Sequence, residues 1–291
     1  MENNIKILYS KDWVDYELID TGEGEKLERF GKYVFVRPYE GAVWPKDNSI
    51  KEWNNIDGKF WSSKQGAKSG WKMKEEIKDK FELSYKGIKF LALPTPFRHL
   101  GFFPEQASHW DFIEEKIKNT KRPIKFLNLF GYTGIASLFA LRAGADVTHV
   151  DASKQSLSWA KENEKASGIT GLRIIPDDVL KFLEKEIKRG EKYDAIIMDP
   201  PKFGRGPKGE TWKIEEMLPE LLEKVKKVLS KEPLFIILNS YAIDSSSLSL
   251  AHALADTMKN FKGQTSAGEL CILEKSKGRV IPLSNVAIWE N

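Results

Sequence analysis

The sequence has almost no cysteine and no long apolar run, and each absence removes a class of protein. Cys271 is the single cysteine, which excludes an internal disulfide framework and a metal site built on a cysteine cluster. No stretch of about 18 apolar residues occurs, so no membrane-spanning helix is expected. The first residues lack the apolar core and cleavage site of a secretory signal. His99, His109, His149 and His252 are too scattered to predict a metal site. We therefore expect a cytoplasmic protein without a metal.

Charge of one sign is only slightly in excess. The 291 residues include 46 Lys and Arg against 42 Asp and Glu, which gives a formal net charge of +4 at pH 7. Such a mildly basic chain is compatible with a nucleic-acid partner but does not require one. Hydrophobic residues make up 41% of the chain, enough for a full core in one large domain or two.

Short β-rich segments separated by turn residues dominate the first third of the chain. The pattern changes at Pro94-Thr-Pro96. We predict a small, mostly β domain over residues 1–95 and a second domain over residues 96–291. The clearest early strand candidates are Tyr33–Val36, Phe81–Leu83 and Ile88–Leu93.

From about residue 111, short apolar runs alternate with segments of helical periodicity. Continuous apolar runs fit strands that helices cover on both faces. Their alternation with helices predicts an α/β fold with an open, doubly wound parallel sheet. The last two strands follow one another without a helix, which predicts an antiparallel hairpin at the sheet edge. The predicted strands are 124–130, 146–151, 172–176, 193–199, 234–238, 269–273 and 280–289, and the predicted helices are 135–142, 153–166 and 179–188.

Glycine and acidic residues follow four successive predicted strands. The loop Asn128–Gly134 (NLFGYTG) comes after the first strand, and its glycines allow a sharp turn into a helix with free N–H groups. The second strand ends in Asp151, where a carboxylate can accept hydrogen bonds from ribose hydroxyls. Asp177-Asp178 follows the third strand and Asp199–Phe203 (DPPKF) the fourth. Because such loops meet at the carboxyl edge of the sheet, they predict a nucleoside site.

The glycine loop does not have the form that a dinucleotide requires. A pyrophosphate is cradled by Gly-x-Gly-x-x-Gly, whereas here the bulky Tyr132 stands between Gly131 and Gly134. The Gly-Lys-Ser/Thr of a phosphate-binding loop is also missing from the sequence. The pattern therefore favours a nucleoside that carries no pyrophosphate.

These motifs resemble class I S-adenosylmethionine-dependent methyltransferases. Asn128–Gly134, Val150-Asp151 and Asp199–Phe203 are similar, more narrowly, to the bacterial large-subunit ribosomal RNA methyltransferases that act on cytosine C5 or guanine N7. Gly101–Ala107 (GFFPEQA) resembles the segment that precedes the first strand in that lineage. The similarity covers about residues 97–240. It implies a Rossmann-like seven-stranded sheet, S-adenosylmethionine as cofactor and ribosomal RNA as substrate.

The resemblance also implies roles for individual residues. Asp151 becomes the ribose ligand and Asp178 the adenine ligand, while Phe103 and Gln106 close over the cofactor. The predicted cofactor-binding residues are Phe103, Gln106, Phe130, Gly131, Tyr132, Thr133, Gly134, Asp151, Asp178 and Asp199. The predicted catalytic residues, which line the target pocket, are Asp199, Pro200 and Lys202.

One departure from the lineage bears on the atom that is methylated. The members that act on cytosine C5 have a cysteine after the fifth strand, and Ser240 stands at that point here. Cytosine C5 needs a covalent thiolate at C6 before it can attack a methyl group, and a serine is a far weaker nucleophile. Cys271 lies in an apolar strand-like segment, which indicates a buried side chain. We therefore expect methylation at nitrogen.

Two segments are candidates for contact with RNA. Trp53–Lys74 mixes tryptophans with lysines, a combination suited to unpaired bases, and Lys202–Gly209 is a basic loop just beyond the predicted site. His99 and His109 flank the predicted cofactor segment and are candidate general bases. The alternative is a methyltransferase of a protein or small molecule that uses the N-terminal region as a lid. A third reading is a cofactor-binding or RNA-binding module that has lost catalysis.

Overall fold

The computed structural model describes residues 4–61, 69–205, 209–241 and 246–291. The strands are β1 (Lys6–Leu8), β2 (Tyr16–Gly22), β3 (Glu25–Phe30), β4 (Tyr33–Pro38), β5 (Gly58–Trp61), β6 (Gly70–Met73), β7 (Phe81–Tyr85), β8 (Ile88–Ala92), β9 (Lys125–Leu129), β10 (Asp146–Asp151), β11 (Arg173–Pro176), β12 (Ala195–Met198), β13 (Phe203–Arg205), β14 (Thr211–Lys213), β15 (Phe235–Ser240), β16 (Gln264–Leu273) and β17 (Val280–Glu290). The helices are α1 (Ala107–Lys118), α2 (Ile135–Arg142), α3 (Lys154–Ser167), α4 (Val179–Arg189), α5 (Ile214–Val228) and α6 (Ser247–Met258), and 3-10 helices cover Lys51–Asn54 and Pro104–Gln106.

The large sheet has the order β1-β16-β17-β15-β12-β9-β10-β11. Strands β11, β10, β9, β12 and β15 pair in parallel, and β17 joins β15 antiparallel. The α/β fold is confirmed and all seven predicted strands are present, but the sheet has eight. The added strand, Lys6–Leu8, pairs in parallel with β16. It covers backbone groups that an edge strand leaves unpaired, so the predicted hairpin of β16 and β17 does not form the sheet edge.

Both faces of the parallel strands are buried, which explains their continuous apolar sequences. Leu127 of β9 and Ile196 of β12 pack into one hydrophobic cluster with α4, α5 and α6. Their neighbours in sequence, Phe126 and Ile197, enter a second cluster with α1 and α2. Successive side chains of a strand point to opposite faces, so two helical layers require apolar residues at every position.

Helix ends near the carboxyl edge of this sheet fall on capping residues. Ser153 accepts a hydrogen bond from the Ser156 N–H at the start of α3 (3.2 Å), and Asp178 accepts one from the Lys181 N–H at the start of α4 (3.0 Å). Gly168 and Gly190 end the same two helices in the left-handed conformation. Ser153 and Asp178 fix where α3 and α4 begin, and so fix the loops that follow β10 and β11, while the two glycines fix where these helices end.

The chain forms two compact units. One contains the large sheet: the described residues up to Leu8, with Ser108–Cys271 and Pro282–Asn291. The other comprises Tyr9–Ala107 and Ile272–Ile281. In it, β2-β3-β4-β5-β6 form one sheet and β7-β8 another.

A single boundary between residues 95 and 96 does not describe this division. The turn after β16 pairs with β2, since the Lys275 N–H donates to the Leu18 carbonyl (2.9 Å) and the Thr21 hydroxyl to the Glu274 carboxylate (2.5 Å). These partners lie more than 250 residues apart in sequence, so composition alone does not reveal the pairing. In the described part of the chain, no helix is long and apolar enough to cross a membrane.

Candidate active site

The sheet brings the predicted loops to one edge. In the parallel register, Leu129 of β9 lies beside Met198 of β12 on one side and Val150 of β10 on the other. The loop that starts at Phe130 therefore begins at the same level as Asp199 and Asp151. The strand order reverses between β9 and β12, and ligands of doubly wound sheets bind outside the carboxyl ends at such a switch point.

The glycine loop after β9 has a backbone that few residues adopt. Phe130 and Tyr132 have positive φ angles of 57° and 53°, a conformation that costs a non-glycine residue about 1–3 kcal/mol and occurs often at functional sites. A Cβ on Gly131 would lie 2.3 Å from the His149 ring. Gly134, with φ 83°, begins α2 without a side-chain cap. The first N–H groups of α2 are thus directed at the loop.

A buried polar network beneath the loop holds this conformation. Asn128 Nδ2 donates to Ser137 Oγ (2.9 Å), which lies 3.0 Å from His149 Nδ1, and His149 Nε2 lies 3.3 Å from the Tyr132 carbonyl. Asn163 Nδ2 donates to the Thr133 carbonyl (2.9 Å). Burial lowers the pKa of His149 to about 4, although the Tyr132 carbonyl opposes this. His149 is therefore neutral at pH 7 and acts on the loop through hydrogen bonds.

Asp151 lies at the end of β10, where the sequence predicts the ribose ligand. Its carboxylate accepts the Tyr132 N–H (2.9 Å) and the Ser153 N–H (2.8 Å). Burial raises its pKa, and the backbone N–H groups oppose that shift. Within the described residues it forms no ion pair. Each carboxylate oxygen can accept more than one hydrogen bond, so Asp151 retains the capacity to accept a hydroxyl group.

The Asp199 carboxylate is fixed from the neighbouring strand. Asn239 of β15 donates its Nδ2 to Asp199 Oδ1 (2.9 Å), and the Ser284 hydroxyl donates to Asn239 Oδ1 (2.8 Å). Burial lowers the pKa of His109 on α1 to about 4, and the nearby Asn239 side chain opposes this shift. His109 is therefore neutral at pH 7, and its Nε2 has no hydrogen-bond partner among the described residues, so its role as a general base stays a prediction.

Trp212 connects the two loops that flank the switch point. Its Nε1 donates to the Pro201 carbonyl (2.6 Å), and its ring lies against Phe130 with centroids 5.0 Å apart. Lys202, predicted to be catalytic, is exposed, and its ammonium lies 3.9 Å from the Glu215 carboxylate. Lys202 is therefore open to solvent, and its catalytic role stays a prediction. Residues 206–208 of the predicted basic loop lie outside the described residues.

Other predicted residues have structural partners. Asp178 accepts the Lys181 N–H as the cap of α4 with one oxygen, Oδ1, so its role toward adenine stays a prediction. Phe103 and Gln106 belong to the mostly β unit, and their closure over a cofactor also stays a prediction. Sequence reasoning missed Asn163, whose amide holds the loop. Its polarity on an otherwise buried face of α3 was the available signal.

The residues around the switch point fit S-adenosylmethionine. Asp151 offers acceptors for a ribose, and the uncapped start of α2 offers N–H donors for a carboxylate. Glycine at position 131 lets the strained loop lie directly on the buried His149 ring, which leaves no room for a side chain there. Among the described residues, no group of three or more His, Cys, Asp or Glu side chains could hold a metal ion.

Comparison with known proteins decides the family. The family model described as Conserved hypothetical protein 95 matches residues 108–265, just over half of the chain. The chain belongs to this family. It is also similar to the crystal structure of a SAM-dependent methyltransferase from Agrobacterium tumefaciens, with 40% identity over 100% of this chain and 97% of that chain and a TM-score of 0.93. The predicted class I methyltransferase fold and its cofactor, S-adenosylmethionine, are thereby confirmed.

Several curated relatives of this methyltransferase are named as ribosomal RNA methyltransferases. The chain is 30% identical over 166 residues to ribosomal RNA large subunit methyltransferase K of Neisseria meningitidis, covering 56% of this chain and 46% of the relative. It is 36% identical over 120 residues to ribosomal RNA large subunit methyltransferase I of Aeromonas salmonicida, covering 40% and 29%. The chain thus spans less than half the length of these relatives.

Proposed function

We propose that this methyltransferase transfers a methyl group to a base of ribosomal RNA, at a nitrogen and not at cytosine C5. The ribosomal substrate is suggested by the names of the relatives. The choice of nitrogen rests on one observation: the Asp199 carboxylate is held at the switch point by Asn239 (2.9 Å), with no thiolate beside it. A ribosomal substrate is compatible with a cytoplasmic location.

No described side chain near Asp199 can serve as the nucleophile that cytosine C5 requires. Ser240 occupies the expected position, but within the described residues its buried hydroxyl has no hydrogen-bond partner that could remove its proton. Cys271 is buried in β16, and burial raises the pKa of its thiol to about 11, with Glu269 adding to the effect. A thiol with this pKa is not a nucleophile at pH 7.

A nitrogen target needs only orientation and an acceptor. S-adenosylmethionine supplies an electrophilic methyl group when it is bound. The Asp199 carboxylate can accept a hydrogen bond from an amino group of the base and so direct the nitrogen lone pair at the methyl group. Asn239 keeps that carboxylate oriented, and Trp212 keeps the Pro201 turn against Phe130. Holding the two reacting atoms in line accounts for much of the rate of such a transfer.

The test is transfer of a labelled methyl group from S-adenosylmethionine to a cell extract that lacks this protein. We expect label in RNA that nuclease removes and protease does not. Nucleoside mass spectrometry should then locate the methyl group on a base nitrogen. Label in protein or in small molecules would support the alternative function, and a 5-methylcytosine product would contradict methylation at nitrogen.

Cys271→Ser should retain methyl transfer within about twofold of the wild type. The side chain is buried, and its Sγ donates to the Glu269 carbonyl of its own strand (3.4 Å), a contact that a serine hydroxyl can keep. The measurement is the transfer rate at equal cofactor and RNA concentrations. A covalent adduct between Cys271 and RNA containing 5-fluorocytosine would contradict this expectation.

A further inference from the structure

Phe97 is a large apolar side chain presented to solvent by the mostly β unit. Phe97 is 67% exposed. It lies in the turn Thr95–His99, between β8 and the 3-10 helix Pro104–Gln106. Exposure of a single apolar residue needs no explanation by itself. The turn around Phe97, however, is held by an unusual number of hydrogen bonds.

The indole of Trp71 anchors the turn. Trp71 Nε1 donates to the carbonyls of Thr95 (2.8 Å) and Phe97 (3.0 Å). The Trp71 ring itself packs edge-on against Phe35 and Phe60, with centroids 5.3 and 5.4 Å apart. The main chain on both sides of the exposed ring is therefore fixed to the core of its own unit.

Thr95 closes the turn from within. Its N–H and its hydroxyl both donate to the His99 carbonyl (3.2 and 2.9 Å), and its Oγ1 accepts the Phe97 N–H (3.2 Å). Pro94 and Pro96 restrict the backbone further. Because the backbone of the turn is already fixed, it loses little conformational entropy when a ligand binds there.

Phe97 has an aromatic neighbour in His99 and is followed in sequence by a cationic residue, Arg98. Phe97 stacks on His99, with centroids 5.7 Å apart and the planes inclined by 22°. Burial, with the charges of Arg37 and Arg98, lowers the pKa of His99 to about 4, so the stack is uncharged at pH 7. Arg98 is exposed and is not ion-paired within the described residues. Its carbonyl accepts Arg37 Nη1 (2.9 Å).

We propose that the Thr95–His99 turn is a stacking site for an unpaired base of the RNA substrate, with Phe97 as the platform and Arg98 as the contact to the adjacent phosphate. The ligand chemistry is a π face next to a negative charge. Single-stranded nucleic acid presents both, and proteins bind it with aromatic platforms beside cations. A hydrophobic protein partner would instead require a contiguous apolar patch, whereas Phe97 is followed by the charged Arg98 and lies two residues after Thr95.

This proposal rests on the proposed RNA substrate and gives the mostly β unit a defined part in it. The sequence pattern pointed to Trp53–Lys74 for the same purpose. In the structure, Trp53 Nε1 donates to the buried Asp20 carboxylate (2.8 Å) and Trp71 supports the turn. Trp53 and Trp71 are therefore structural, whereas the third tryptophan of that segment, Trp61, is 43% exposed. Residues 62–68 lie outside the described residues.

The test is fluorescence anisotropy with a labelled single-stranded RNA of about 12 nucleotides. Loss of one stacked base weakens binding by about 5- to 150-fold. Phe97→Leu should weaken binding by this amount, whereas Phe97→Trp should remain within about threefold of the wild type. Val43→Ala, at another exposed apolar position of this unit (88%), is the matched control and should bind as the wild type does. Arg98→Ala should lower the salt slope by about 0.7.

An abasic version of the same oligonucleotide separates stacking from a general loss of binding. The wild type and Phe97→Leu should bind the abasic strand equally, because that strand has no base that could stack on the residue at position 97. Equal binding of the intact strand by Phe97→Leu and the wild type would overturn the proposal. If methyl transfer to RNA still proceeds in that case, the proposed function stands. If the wild type neither binds nor methylates RNA, both fail.

Discussion

Asp199→Asn is expected to lower the turnover of methyl transfer by about 100- to 1,000-fold, the usual scale for removing one preorganised polar group from a transition state. The amide has the shape of the carboxylate but lacks its charge. Its oxygen should keep the hydrogen bond from the donor Nδ2 of Asn239, which lies 2.9 Å from Asp199 Oδ1, so its NH2 group faces the target. The amino group of the target would lose its acceptor. The measurement is kcat at saturating RNA and cofactor.

The effect on cofactor binding distinguishes catalysis from a damaged site. Asp199 borders the cofactor loop, so the KM for S-adenosylmethionine should rise, but by less than about tenfold. Asp256→Asn removes the same charge from an exposed position on α6 and should leave both constants unchanged. An Asp199→Asn enzyme with wild-type turnover would remove Asp199 from the catalytic residues.

Arg37→Met should lower the free energy of unfolding by about 3–5 kcal/mol, because it leaves a buried carboxylate without its main partner. Glu28 is fully buried, and it accepts hydrogen bonds from Arg37 Nε and Nη2 (both 2.6 Å) and from the Tyr16 hydroxyl (2.8 Å). Lys26 lies 3.2 Å away. Urea denaturation of the full chain, followed by tryptophan fluorescence, measures the loss.

A double variant provides the control. Glu28→Gln with Arg37→Met removes the carboxylate together with its guanidinium, and the Lys26 ammonium is the charge that remains. Paired removal of buried charges costs much less than breaking the pair. The double variant should therefore be more stable than Arg37→Met alone. Equal or lower stability would show that packing of the Arg37 side chain, and not its charge, is what stabilises this unit.

The same cluster predicts how stability depends on pH. Burial alone would raise the pKa of Glu28, but the charges of Arg37 and Lys26 and the hydrogen bonds to it lower the pKa from 4.5 to about 2. A carboxyl with a lowered pKa contributes stability above its unfolded pKa, and that contribution is lost as the pH falls from about 4.5 toward 2. The double variant should lack this part of the acid dependence.

The sheet and the switch-point loops could be predicted from sequence because their signals are local. Continuous apolar runs indicated β9 to β12, and strand-end residues such as Asp151 and Asp199 are adjacent to those runs. Strand β1 has only three residues and carries no pattern of its own. It is a strand because β16 offers it an edge, a fact that no local window of sequence contains.

The residues that hold the site in shape were harder to find. His149, Asn163 and Trp212 act on partners in other loops, and polar residues inside strands and helices have no characteristic spacing to those partners. His149 seemed only one of four scattered histidines. Its role becomes clear in the structure, where Gly131 packs so closely on the His149 ring that a Cβ at position 131 would lie 2.3 Å from it. This contact exists only once the loop has folded.

Calorimetric titration with S-adenosylhomocysteine tests the account of the site most directly. We expect the wild type to bind it and to bind no NAD, because the loop at Tyr132 is unsuited to a pyrophosphate. Asp151→Ala should weaken binding by about 1–3 kcal/mol, while Asp146→Ala, exposed at the other end of β10, should bind as the wild type does. Unchanged affinity in Asp151→Ala, or NAD binding as tight as that of S-adenosylhomocysteine, would contradict the assignment of this site.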